Sequence, residues 1–194
     1  LAHKTTYDES VRAPFLALSG EIEREFGALH VFRPNRDVRF AKDKSPYKTA
    51  AAAVTESEGG AAFYVQISSE GLFVGSGYYH LAPDQLERYR AAVADPKTGA
   101  KLATAVAGLR KQRYTVDARE SLQRAPRGFQ PDHPRVDLLR MKGMHVGKVF
   151  GAPRWLHTPR ALERIVQTWR DAAPANRWLD KHVGPSTIAP PEPD

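Results

Sequence analysis

Ala61-Ala62-Phe63-Tyr64-Val65-Gln66-Ile67-Ser68-Ser69-Glu70-Gly71-Leu72-Phe73-Val74-Gly75-Ser76-Gly77-Tyr78-Tyr79-His80-Leu81 decides the fold class. Two runs rich in β-branched and aromatic residues, Ala61 to Ser68 and Leu72 to Leu81, flank a tight Ser69-Glu70-Gly71 turn. That pattern predicts an antiparallel hairpin. Upstream, Tyr47 to Val54 reads as extended, and the turn residues Glu56-Ser57-Glu58-Gly59-Gly60 connect it to the hairpin. The result is a three-stranded meander. Gly75 and Gly77 share one face of the last strand and leave it bare, which lets a backbone or helix approach closely.

Outward from the meander the periodicity changes from two to about 3.6. Val11, Phe15, Leu18, Ile22 and Phe26 form one apolar stripe, with Pro14 inside it and Gly27 as its stop. A second helix opens at Pro83-Asp84-Gln85 and breaks at Asp95-Pro96; a third covers Gly99 to Lys111. Arg119 to Arg124 reads as a short helical turn, and Ala125 to Pro134, with three prolines and a glycine, as an irregular loop. Pro134 to Met141 reads as a helix capped by Asp132, and Met144 to Phe150 as the last strand. Thr158-Pro159 opens a helix carrying Leu162, Ile165, Val166 and Trp169, and Ala175 to His182 reads as a separate short helix. Arg36 to Phe40 reads as an additional short strand. The expectation is one α+β domain over residues 1–184, an antiparallel β-meander packed by several helices, followed by a Pro-rich disordered tail at 185–194.

With 194 residues, 41% of them hydrophobic and 26% charged, the chain can bury a core of its own. The absence of cysteine removes disulfides, zinc ribbons, iron–sulfur clusters and thiol nucleophiles. No apolar run approaches the ~18 residues of a membrane span, and the polar start lacks the apolar region of a signal peptide. A cytoplasmic protein without a membrane partner is expected. The first residue is not Met, so a processed or truncated start is expected as well.

The net charge of +7 is unevenly spread. Residues 1–97 hold 12 basic and 13 acidic side chains; residues 98–194 hold 17 and 9, and 101–160 alone hold 13 and 4. This basic second half, interleaved with Tyr114, Phe129, Phe150 and Trp155, reads either as a solvated face or as a surface for anions or a nucleic-acid backbone. The densest motif nevertheless lies in the neutral half, where Phe32 to Lys48 carries six Arg/Lys and two Asp in 17 residues. On a strand at 36–40, Asp37 and Arg39 would share a face. The carboxylate would then hold a guanidinium fork ready for a planar anion. Lys44-Ser45-Pro46-Tyr47-Lys48 adds a proline turn with two ammoniums and a phenol. The same residues also read as a salt-bridged corner that braces the fold. The second candidate is the loop 124–135, where Arg127 and the neighbours Asp132 and His133 offer a cation and an acid/base group. Its plainer reading is a helix cap with a surface histidine.

The seven histidines show no metal-ligand spacing, and no metal site is expected. Serine elbows and Gly-Lys-Ser/Thr phosphate loops are absent. Gly75-Ser76-Gly77 is no dinucleotide fingerprint, because a third glycine and a following helix are missing. No cofactor is implied.

Several of these stretches resemble one known family. Arg36-Asp37-Val38-Arg39-Phe40-Ala41-Lys42-Asp43-Lys44-Ser45-Pro46-Tyr47-Lys48-Thr49 resembles the signature of domain-of-unknown-function family 2461, mostly bacterial conserved hypothetical proteins. The likeness extends to Tyr64–Ser68, Gly71–Gly75, Gln85 to Arg90, Leu122 to Phe129, Asp132-His133-Pro134 and Leu138–Lys142, about residues 3–180 in all. Members usually open with an apolar segment and an Asn-Asn pair that would precede His3-Lys4 here, so a piece of the usual domain is expected to be missing. The resemblance implies one mixed α/β domain and supplies no activity.

The leading expectation is a small-anion site for a phosphate- or carboxylate-bearing ligand. Arg36, Arg39, Lys44, Lys48 and Arg127 would bind, and Asp37 would orient an arginine. His133 or Tyr47 would transfer a proton if the protein is an enzyme. The two basic segments are expected near one another. The alternatives are a nucleic-acid-binding module using the 101–160 surface and a non-catalytic structural or partner-binding domain.

Overall fold

The structure is a computed structural model that describes residues 4–36, 39, 44, 45, 47–56 and 60–188. The chain forms helices α1 (Lys4–Tyr7), α2 (Ala13–Phe26), α3 (Pro83–Ala94), α4 (Pro96–Lys111), α5 (Val136–Arg140) and α6 (Arg160–His182). The strands are β1 (His30–Val31), β2 (Ala50–Glu56), β3 (Ala62–Ser68), β4 (Gly71–Tyr78), β5 (Thr115–Asp117) and β6 (Met144–Gly151). They make one six-stranded antiparallel sheet in the order β1-β2-β3-β4-β6-β5, and the fold class is α+β. The expected meander is β2-β3-β4 at the centre of that order. By contact density the chain divides into two compact units: Leu1–Ser57, Phe63–Gly75 and Val149–Trp169, and Glu58–Ala62, Ser76–Lys148 and Arg170–Asp194.

The first unit packs α2 on the sheet. Its stripe buries Phe15, Ile22 and Phe26 beside Val65, Leu72, Val74, Ile165 and Trp169. The Trp169 ring meets Phe26 edge-on at 5.0 Å. Its indole N–H donates to the Gly75 carbonyl at 3.0 Å, so the buried ring leaves no orphaned donor. Gly27 ends α2 at φ +81°, and the Thr55 hydroxyl donates to the Phe26 carbonyl at 2.9 Å, satisfying a helix-end acceptor. Upstream, the sequence reading missed a π-helical turn at Asp8–Arg12 that precedes Pro14 in the first turn of α2. Proline lacks the N–H an interior helix position donates, and just before it the Ala13 N–H reaches back five residues to the Asp8 carbonyl, the π-helical pattern.

The second unit is built on Tyr89, Val93, Leu102, Leu139, Met144 and Leu179. Two of its buried rings have their polar atoms matched: Tyr89 donates to the Leu138 carbonyl at 3.0 Å and the Trp178 indole to that of Thr98 at 2.9 Å. Asp95 caps α4, accepting from the backbone of Lys97 and Thr98. Gly77 stands at φ +128°, where a Cβ would lie 2.3 Å from the Met144 carbonyl oxygen. Residues 186–187 bond to Asp84, which accepts from the Thr187 backbone and the Ser186 hydroxyl.

Several expectations give way here. Arg119 to Arg124 is not helical: it pairs in extended form with 140–142 through a Ser121–Met141 bridge and the Lys142 N–H on the Glu120 carbonyl. Asp132 caps nothing, because α5 begins at Val136 after Arg135. The helix at 175–182 is the end of the single 23-residue α6, which runs through Pro174. The strand β5 and a 3-10 turn at Arg154–His157 were not foreseen.

Candidate functional site

In the first unit the chain after β1 continues along β2. The Phe32 N–H donates to the Ala52 carbonyl at 3.0 Å and the Lys48 N–H to that of Pro34 at 2.8 Å. An Asn35–Tyr47 bridge completes the clamp. Both ends of the basic motif are therefore fixed by backbone pairing.

A groove of about 1350 Å³ opens against this clamp. It is walled by the α1 and π-turn segment, by residues 29–35, by residues 47–51 and by the end of β3. Among the described residues its charged lining is Lys4, Arg12, Arg33 and Lys48 with the carboxylate of Asp8, and His30 stands beside them. Cations converging on a concave surface focus field lines and raise the local concentration of anions. Asp8 and Arg12, one turn apart, approach to 4.0 Å at the surface, a contact that orients more than it stabilises. The Lys48 ammonium stands 5.2 Å from the centre of the Phe32 ring, within cation–π range. Tyr47 lines the groove and is 54% exposed. The π-turn supplies Asp8, Ser10, Val11 and Arg12 to the same wall; such turns are rare and concentrate at functional sites.

Of the expected ligand-binding residues, Lys48 lines this groove, as does Tyr47 from the proton-transfer candidates. Arg36 follows the clamp half-buried, and Arg39 and Lys44 are exposed and engaged with other groups. Asp37 lies outside the described residues, and with it the expected 36–40 strand and the Asp37–Arg39 arrangement. Lys4, Tyr7 and Arg12 were not singled out from the sequence. The only signal for them was the i,i+4 spacing of Asp8 and Arg12 on a helix.

Arg127 and His133 belong to the second unit. Arg127 is exposed, while His133 is half-buried and its Nδ1 accepts the Arg135 backbone N–H at 3.1 Å. That bond commits one ring nitrogen to shaping the loop. The neighbouring cations are committed too. Arg135 donates through Nε to the Val93 carbonyl at 2.7 Å and through Nη2 to Ala94 at 2.9 Å, closing the end of α3. Arg110 donates to the Val116 carbonyl at 3.3 Å, Lys142 pairs with Glu120 at 3.2 Å, and Lys148 lies 4.2 Å over the Tyr114 ring. Four of the 13 basic residues at 101–160 are thus engaged with carbonyls, a carboxylate or a ring.

Among the described residues no group of three or more His, Asp or Glu is placed to hold a metal ion. No helix among them is long and apolar enough to cross a membrane.

Residues 1–178 match the family described as conserved hypothetical protein (DUF2461). The chain belongs to this family. The match spans both the groove segment and the 124–135 loop. No curated protein and no solved structure matches the chain.

Proposed function

We propose that this DUF2461 protein binds a small anionic ligand carrying a phosphate or carboxylate in the groove of its first unit. The observation that carries the reading is a coincidence of two independent lines. The cation-rich motif at 33–48 is the densest in the chain, and its clamped ends, Arg33 and Tyr47-Lys48, line a groove where, among the described residues, four cations meet the carboxylate of Asp8. Arg33, Lys48, Lys4 and Arg12 come from three separate stretches of sequence. A brace formed within the motif alone would not need Lys4 and Arg12. The committed cations at 101–160 favour this groove over the nucleic-acid surface.

The test is a thermal-shift screen with nucleotides, sugar phosphates and dicarboxylates on the wild type and on the Arg33→Gln/Lys48→Gln double variant. A ligand at a hundred times its Kd stabilises by ~2.7 kcal/mol, which for a chain of this size raises Tm by about 5–10 °C. The double variant should lose that rise. A rise matched by sodium chloride at equal ionic strength, or kept by the variant, would refute the proposal.

A further inference from the structure

We infer that the ligand of this groove joins its anion to a planar ring, in the chemical class of a nucleoside monophosphate, with Tyr47 as the stacking platform. The inference rests on the anion-binding reading and extends it to a ligand class. Its first support is size. Small-molecule sites commonly occupy ~300–1000 Å³, and a groove of about 1350 Å³ has room for a body many times larger than a phosphate. The second is the lining, where Tyr7, Phe32 and Tyr47 stand among the four cations. One of the three rings is already used, since Lys48 lies over Phe32.

Tyr47 differs from the other two. Tyr7 and Phe32 are half-buried, whereas Tyr47 turns 54% of its surface to solvent at the groove. Its backbone is held by the Asn35 bridge, and the next residue, Lys48, by its N–H on the Pro34 carbonyl. The backbone that carries both side chains is therefore ordered before any ligand arrives, which lowers the entropic cost of binding. An exposed ring next in sequence to a cation, both on a paired backbone and both lining the groove, is a pairing that recognises a base and its phosphate together: the ring offers a π-face to any base, and the ammonium a charge to the anion. A ligand that is only an anion has no use for the ring.

Calorimetric titrations of adenosine monophosphate and ribose 5-phosphate on the wild type, Tyr47→Leu, Tyr47→Phe and Lys48→Gln test it. The nucleotide should bind at least about fivefold tighter than the sugar phosphate. Tyr47→Leu should close that gap without weakening ribose 5-phosphate, Tyr47→Phe should keep it, and Lys48→Gln should weaken both ligands. Equal affinities in the wild type would overturn the ring inference while leaving the anion reading standing. A gap that survives in Tyr47→Leu would remove Tyr47 as the platform. Failure of both ligands to bind, or indifference of both to Lys48→Gln, would overturn the anion reading itself.

Discussion

Replacing Arg135 by Met asks whether the basic loop at 124–135 is there for the fold. The guanidinium makes two short bonds to the carbonyls of Val93 and Ala94, at 2.7 and 2.9 Å, and a longer one to Asp95 at 3.3 Å. Hydrogen bonds from a charged donor contribute ~1.5–3 kcal/mol each. Met keeps the aliphatic stem and loses the bonds, and water can reach part of this helix end, so the net loss should be about 2–4 kcal/mol. At ~2–4 °C per kcal/mol for a chain of this length, Tm should fall by roughly 5–15 °C. Arg127, exposed and without a hydrogen bond to any described residue, is the control, and its change to Met should stay within ~0.5 kcal/mol. Gly99 sharpens the test, because a Cβ there would lie 2.0 Å from the Val93 oxygen and 2.6 Å from the Arg135 Nε. Gly99→Ala should therefore be strongly destabilising, and less so when Arg135 is already Met, since the two act at one carbonyl. Urea unfolding followed by circular dichroism measures the wild type and the four variants. An Arg135→Met protein within 0.5 kcal/mol of wild type, or strict additivity with Gly99→Ala, would refute the structural assignment.

Three further outcomes follow from the two cores and the sheet. Trp169→Phe keeps a ring beside Phe26 but strands the buried Gly75 carbonyl, and should cost ~1–3 kcal/mol in urea; a smaller loss would mean the indole bond is dispensable. Gly77→Ala meets both a φ of +128° and the Met144 carbonyl, and should leave little folded protein in soluble expression and proteolysis assays, where wild-type resistance would contradict it. Burial holds the His145 imidazole below its ordinary value of 6.5, against a smaller upward pull from Asp117. The unfolded chain therefore takes up the proton first, so this contribution is complete above pH 6.5 and is lost as pH falls from there toward the folded-state value. Between pH 7.5 and 5.5 the urea midpoint should drop more for wild type than for His145→Leu, and equal drops would exclude the histidine.

The hairpin was legible because its turn is local chemistry: Gly71 stands at φ +106°, which Ser69-Glu70-Gly71 announces. The α2 stripe was legible because Phe15, Ile22 and Phe26 bury one face. The continuity of α6 into 175–182 was not legible: a proline normally ends a helix, yet Trp169, Ala172, Ala175, Leu179 and Val183 are all buried at helical spacing across Pro174. That continuous apolar face outweighs one missing backbone bond. The strand β5 was invisible for the opposite reason. Three residues at the edge of a sheet, only Val116 of them buried, carry no periodicity, and the strand exists by pairing Val116 opposite Val146. Arg119 to Arg124 failed similarly, its backbone being satisfied by distant residues 140–142. At the candidate site, composition drew attention to Tyr47 and Lys48 but gave no hint of Lys4 and Arg12, which reach the groove only through the fold. Arg135 and His133 show the converse, a motif that looks chemical and is engaged in closing a helix and shaping a loop.

The central claim is that anion recognition belongs to the groove beside Tyr47 and Lys48. Backbone amide NMR of the isotope-labelled protein, titrated with adenosine monophosphate at fixed ionic strength, tests it most directly. Saturable shifts confined to residues 30–35 and 47–51 and to the 4–12 segment are the predicted result. Shifts centred on 124–135, or spread over 101–160 without saturation, would contradict it.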